Sequence, residues 1–272
     1  MQTRLLSILL LLSYTFTLTA QTKTTKPFSI GEIANLKSVI LGENRTLNIY
    51  LPDGYNDKEK YPVIYLLDGS ANEDFLHIVG LVQFFNMTFK MPNTIIVGIA
   101  NVDRRRDFTF PTTKADLKKD YPTTGGSAKF IDFVEKELQP YIKANYKTND
   151  TSYVIGQSLG GLVATEILLK KPGLFTNYII VSPSLWWDDE SLLKEAPALL
   201  AKQTDIKKWV YISVGAEGKV MEGDAADLLK ALQKSGKKNM KLDFVPLPKE
   251  NHATILHNSI YEALKILYPY KE

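Results

Sequence analysis

The chain has 272 residues, 33 basic against 30 acidic side chains for a net charge of +3, and no cysteine. This near-balance gives no electrostatic basis for a nucleic-acid partner, and the composition is that of an ordinary globular protein. The missing cysteines exclude disulfides and a lipid-modified cysteine, and the length suffices for one α/β domain with a large core.

The first twenty residues differ from the rest. Arg4 precedes an apolar run from Leu5 to Leu12, and a Thr-rich stretch ends at Ala20 before Gln21. This is the layout of a cleaved secretory signal, and its apolar run is too short for a membrane span. The expectation is a signal peptide over 1–20, a flexible leader over 21–29 and a single catalytic domain over 30–272. The mature protein is then periplasmic or secreted, with no stable membrane insertion.

Next come alternating patterns at 33–41 and 46–51, which predict an antiparallel hairpin around Gly42-Glu43-Asn44. Continuous apolar runs then recur at 63–67, 94–100, 152–155, 178–181, 209–214 and 242–245. Strands buried on both faces of a parallel sheet have this character. Helical periods at 74–85, 128–145, 159–170, 191–201, 224–235 and 253–267 separate or follow them. The predicted fold is α/β: a mostly parallel eight-stranded sheet with helices on both faces.

Chemistry enters at Gly156-Gln157-Ser158-Leu159-Gly160, a G-x-S-x-G motif between a β-rich run and an Ala/Leu-rich helix. A serine lifted onto a tight strand-to-helix turn brings the arms of the turn together, so side chains at Gly156 and Gly160 would clash. The helix that follows points free N–H groups at the site, and Leu159 N–H is the natural first oxyanion donor. The alternative is a plain N-cap serine.

In parallel sheets ligands bind beyond the carboxyl ends of the strands, which narrows the search for partners. Of three histidines, His77 precedes Ser158 and His257 lies inside the last helix, whereas His252 stands between the last strand and that helix, where a general base belongs. The acid is expected after strand 209–214; Glu217 is favoured there, with Asp224, read as a helix N-cap, and Asp188 as rivals. Ser70 N–H, in the Asp68-Gly69-Ser70 loop after strand 63–67, is the candidate second oxyanion donor. Arg104, Arg105 and Arg106, with Trp186 and Trp187, stand in loops expected to rim the site and to hold an anionic aromatic group. No metal or cofactor is expected, since the five-residue spacing of His252 and His257 does not place two ligands on one helical face.

The segments LLDGS, GQSLGG and ENHATILHNSIYEAL, with DRRRDFTFP and SPSLWW, resemble the putative-esterase family of α/β hydrolases. That family includes trilactone siderophore esterases, feruloyl and acetyl-xylan esterases, S-formylglutathione hydrolases and mycolyltransferases. The resemblance implies Ser158 as nucleophile, His252 as base, an acid near Glu217 and backbone donors at Ser70 and Leu159. Gln157 stands where many relatives carry histidine or tyrosine, beside the nucleophile and among the expected substrate contacts. The implied activity is hydrolysis of a small-molecule carboxylic ester through an acyl-enzyme, directed to siderophore or aryl esters. An acyltransferase or a non-catalytic binding protein of the same fold are the alternatives.

Overall fold

An unbroken apolar run such as YPVIYL leaves a strand no polar face to turn to water. In the computed structural model, which describes residues 25–270, such runs join one sheet covered on both sides. The strands are β1 (Glu32–Ser38), β2 (Glu43–Tyr50), β3 (Tyr61–Leu66), β4 (Ile95–Ile99), β5 (Thr148–Gln157), β6 (Asn177–Val181), β7 (Lys208–Gly215) and β8 (Met240–Leu247). Their order across the sheet is β1-β2-β4-β3-β5-β6-β7-β8. Only β2 runs against its neighbours, pairing antiparallel with both β1 and β4. The remaining pairings are parallel. The expected signal over 1–20 lies outside the described residues; of the leader, residues 25–29 are exposed and carry no regular structure.

In chain order the helices are α1 (Phe75–Thr88), α2 (Arg104–Phe108), α3 (Ala115–Asp120), α4 (Ser127–Phe133), α5 (Gln139–Asn145), α6 (Leu159–Lys170), α7 (Trp187–Lys202), α8 (Lys219–Lys234) and α9 (Ile255–Leu267). One face of the sheet packs against α1 and α9, through Ile78, Val82, Ile260 and Leu264. The other packs against α4 to α8, through Phe130, Ile142, Leu162, Leu192 and Leu228. Every α6 residue from Leu159 to Leu169 is buried, so this helix is the centre of that layer.

Three predicted helices differ from what forms. The single helix expected over 128–145 is split by a π-helical turn, Val134–Leu138. Pro140 opens α5, and a residue with no N–H and a ring that crowds the preceding turn favours such a widening. In α7 the stretch from Asp188 to Glu190 turns left-handed, with φ of 50°, 59° and 59°, so the regular helix resumes near the predicted start at Ser191. The helix expected over 224–235 begins five residues earlier, at Lys219, after Gly218 at φ 87°. Asp224 is therefore inside α8 and is not its N-cap.

The short α2 is tied to β2 by ions. Arg45 is 0% exposed, and its Nη1 reaches Asp107 Oδ2 at 2.6 Å and Glu43 Oε1 at 2.9 Å. Arg106 closes the network, with Nη2 2.6 Å from Glu43 Oε1 and Nε 2.8 Å from Asp107 Oδ1. Phe130 and Phe133 flank the Arg45 guanidinium. The network fixes where the chain leaves β4, and so where Arg104 stands. Removing one member of a buried ion cluster leaves an uncompensated charge, so Asp107→Ala is expected to cost about 3 kcal/mol in urea denaturation.

Candidate active site

Five loops at the carboxyl end of the parallel sheet converge on Ser158. It joins β5 to α6 with φ 59° and ψ −121°, a backbone that side chains rarely adopt, and its hydroxyl makes no capping bond to α6. The turn is tight because a Cβ on Gly156 would lie 2.3 Å from Gly160 O. Ser158 N–H donates to Val181 O at 3.1 Å, which pins the turn to β6. The hydroxyl faces Ser184 Oγ at 3.3 Å. The alternative of a plain helix cap is thus not realised, and the oxygen is turned toward a hollow instead.

His252 follows β8, and Glu217 follows β7. Glu217 Oε2 accepts from His252 Nδ1 at 2.5 Å, and the carboxylate is only 4% exposed while the imidazole is 47% exposed. A carboxylate can only accept here, so the proton sits on Nδ1 and leaves Nε2 as the basic nitrogen. Glu217 Oε1 accepts from Gly215 N–H at 3.0 Å and from the Ser182 hydroxyl. Glu222 Oε1 accepts from the backbone N–H groups of Glu217 and Gly218 at 3.0 and 2.9 Å, holding the loop that carries the acid. Ser158, Glu217 and His252 share a hollow of about 620 Å³ with Ser184, Trp186, Ala216 and Met221.

Neither rival acid reaches the imidazole. Asp188 Oδ1 accepts from Thr112 Oγ1 at 2.7 Å and from Thr113 N–H at 3.1 Å. Asp224 is 5% exposed within α8, with Oδ2 unpartnered. His77 and His257 lie elsewhere, with their rings edge to face at 4.2 Å between α1 and α9. Burial, helped by the charge of His257, pushes the His77 imidazole down to about 4.

A second hollow, about 440 Å³, adjoins Ser158 and His252 and is walled by Asp68, Glu73, Asp74, Arg104 and Gln157. Leu159 supplies the first N–H of α6, and Ser70 N–H meets Glu73 Oε2 at a long 3.4 Å. Arg104 forms a two-pronged pair with Asp68, at 2.6 and 2.9 Å, and its Nη2 also reaches Gln157 O at 3.3 Å. The Asp74 carboxyl is pushed up to about 6 by burial and by the charges of Asp68 and Glu73. Three carboxylates therefore face one guanidinium in this hollow.

The expected rim of arginines needs correction. Arg105 donates to Asp120 O at 3.0 Å and lies over the Tyr121 ring, and Arg106 is committed to Glu43 and Asp107. Of the three, Arg104 alone lines either hollow, because Glu43 on β2 and Asp107 on α2 claim Arg106 and the Asp120 carbonyl holds Arg105. Trp187 is 0% exposed and donates Nε1–H to Phe110 O at 2.9 Å, so it is core; Trp186 alone faces the hollow. Gln157 donates Nε2–H to His252 O at 2.5 Å, which makes it a tether for the histidine loop. Ser182, Ser184, Met221 and Glu222 were not singled out from the sequence. The Ser-Pro-Ser run after β6 is the signal that points to the first two.

Asp224 gives a test of the acid assignment that does not rest on activity alone. Its carboxyl is pushed from 3.8 up to about 6, first by burial and then by the charges of Glu190 and Asp227. The folded chain thus holds a proton that the unfolded chain releases between those values, and stability falls as pH rises through about 6. Asp224→Asn is expected to stabilise the fold by about 1 kcal/mol at pH 7, with the gain vanishing near pH 4 and ester hydrolysis unchanged. Paired urea melts at the two pH values check it.

Comparison with known proteins shows the family and the fold. The family model described as "Putative esterase" matches residues 38–254. The ferri-bacillibactin esterase BesA of Bacillus subtilis is 30% identical over 253 residues, covering 84% of this chain and 86% of that protein. Among solved structures, an IroE-like serine hydrolase from Shewanella oneidensis superposes with a TM-score of 0.80 at 31% identity, covering 88% of this chain and 80% of that one. The BES protein from Bacillus cereus does so with a TM-score of 0.78 at 29% identity, covering 91% and 98%. With a sheet of this order, a serine on a strained strand-to-helix turn and a family match across most of its length, the chain belongs to the putative-esterase family of α/β hydrolases.

Proposed function

We propose that this carboxylic ester hydrolase works as an exported serine esterase with Ser158 as nucleophile, His252 as base and Glu217 as acid. The observation that carries the reading is a serine held in a strained turn, without a helix cap, in one hollow with a buried carboxylate–imidazole pair. Ser158 Oγ attacks the ester carbonyl carbon while His252 Nε2 takes its proton. Glu217 stabilises the imidazolium, and the N–H groups of Leu159 and Ser70 receive the oxyanion. His252 then passes the proton to the leaving alcohol, leaving an acyl-enzyme. Water, deprotonated by the same nitrogen, releases the carboxylic acid and restores Ser158.

Similarity to a ferri-bacillibactin esterase supports siderophore or aryl esters as the substrates, and Trp186 beside the proposed nucleophile suits an aromatic group. The acidic second hollow and the engaged Arg105 and Arg106 do not support recognition of an anionic group by an arginine cluster. Export rests on the layout of residues 1–20. The amino terminus of the protein recovered from periplasm or medium should read from Gln21, and a product that retains Met1 overturns this part.

Ser158→Ala is expected to lower kcat by roughly 10⁴-fold to 10⁶-fold with the fold intact, and His252→Ala to do the same. Glu217→Gln should lose less, since the orienting member usually contributes less than the nucleophile. His257→Ala should remain active. Hydrolysis of 4-nitrophenyl acetate and labelling by a fluorophosphonate probe read these outcomes. Labelling that survives Ser158→Ala is the result that sinks the assignment.

A further inference from the structure

We propose that Ser182 is a positioning residue that sets the plane of the Glu217 carboxylate and, through the loop it begins, the spacing between acid and nucleophile. The inference rests on the triad reading above. Glu217 carries one more methylene than an aspartate, and a longer side chain has an extra torsion through which its carboxylate can turn. Oε2 alone meets the imidazole. What prevents rotation is the other oxygen, which accepts from the Ser182 hydroxyl and from Gly215 N–H in a nearly sealed environment.

Ser182 is itself held in place. It is 0% exposed, its N–H donates to Ser213 O on β7 at 2.8 Å, and its φ is 42°. A left-handed serine is a strained one, and the proline that follows restricts it further. Such strain persists where the surrounding structure demands it, and here the twisted backbone directs a hydroxyl onto a buried carboxylate. Two residues on, Ser184 N–H donates to Ser158 O at 3.0 Å and Ser184 Oγ lies 3.3 Å from Ser158 Oγ. The segment Ser182-Pro183-Ser184 therefore grips the acid at one end and the nucleophile at the other. Pro183 stiffens the span, and a Cβ on Gly161 would lie 2.9 Å from its Cα, so the segment is pressed against α6.

The test is a double-mutant cycle on Ser182 and Glu217 with 4-nitrophenyl acetate. Ser182→Ala is expected to lower kcat roughly 10-fold with KM nearly unchanged, since an interaction acting on the chemical step is lost and no substrate contact is. The acid limb of its pH–rate profile should move to higher pH, because a carboxylate deprived of a donor lets the His252–Glu217 pair take up a proton more readily. In a Glu217→Gln background the same change should cost little more than Glu217→Gln alone. Ser182→Gly, which relaxes the left-handed φ while removing the hydroxyl, should reproduce Ser182→Ala and serves if that variant folds poorly. Full activity of both Ser182 variants, or losses that multiply independently with Glu217→Gln, overturn the inference while leaving the nucleophile assignment to stand on Ser158→Ala. Activity that survives Ser158→Ala overturns the triad reading itself.

Discussion

The backbone of Ser158, at φ 59° and ψ −121°, is the constraint to which the surrounding structure is fitted. A serine in that region carries a strain of roughly 1–3 kcal/mol, which must be offset by what the turn makes possible. The offset is α6, whose residues from Leu159 to Leu169 are all buried between the sheet and the helices around it. Burying such a helix needs its first turn to pass very close to β5, and glycine at 156 allows this, since a Cβ there would lie only 2.3 Å from Gly160 O. The same tight turn lifts the Ser158 hydroxyl clear of the helix and into the lining of the hollow. Packing energy far from the surface thereby maintains an unfavourable backbone where chemistry is proposed.

The sheet was readable because its signal is local. Each of the eight strands coincides with an apolar run or alternation in the sequence, and the 159–170 period became α6 with those bounds. Ser158 and His252 were readable because their chain order relative to the strands restricts where they can stand. Side chains whose meaning depends on a distant partner were not. Arg104, Arg105 and Arg106 look alike in sequence, yet Asp68, Asp120 with Tyr121, and Glu43 with Asp107 take one each. Trp186 and Trp187 likewise separate into wall and core only once Phe110 O receives an indole N–H. Asp224 misled because a carboxylate before an amphipathic run resembles a cap, whereas Gly218 and Glu222 begin that helix.

The Glu217–His252 pair is exposed on one side only. The imidazole is about half exposed, as the proposed role of meeting substrate and water requires, and the carboxylate behind it is almost sealed. In low dielectric a buried carboxylate with unfilled acceptor sites is costly, and donors from the loop after β6 and the end of β7 fill them. Gln157 completes the arrangement from the other direction. Its side chain holds the His252 carbonyl while Arg104 holds its own carbonyl, so the turn that carries Ser158 also tethers the loop that carries His252.

The two hollows that flank this pair differ in chemistry, and the difference bears on which half of an ester each can accept. One is walled by Trp186, Met221 and Ala216, the other by Asp68, Glu73 and Asp74 against a single Arg104. An aromatic or aliphatic group gains by displacing water from the first. The second rewards hydroxyl or amide donors and repels a carboxylate, since Arg104 is already paired with Asp68 and has little charge to offer. The larger hollow at the amino ends of β5 to β8, about 710 Å³, is lined by Lys207, Lys238 and Lys241 and contains no serine or histidine. These lysines thus lie at the opposite ends of the strands from the proposed catalytic centre, where the groups available for selection are the indole of Trp186 and the acidic wall of the second hollow.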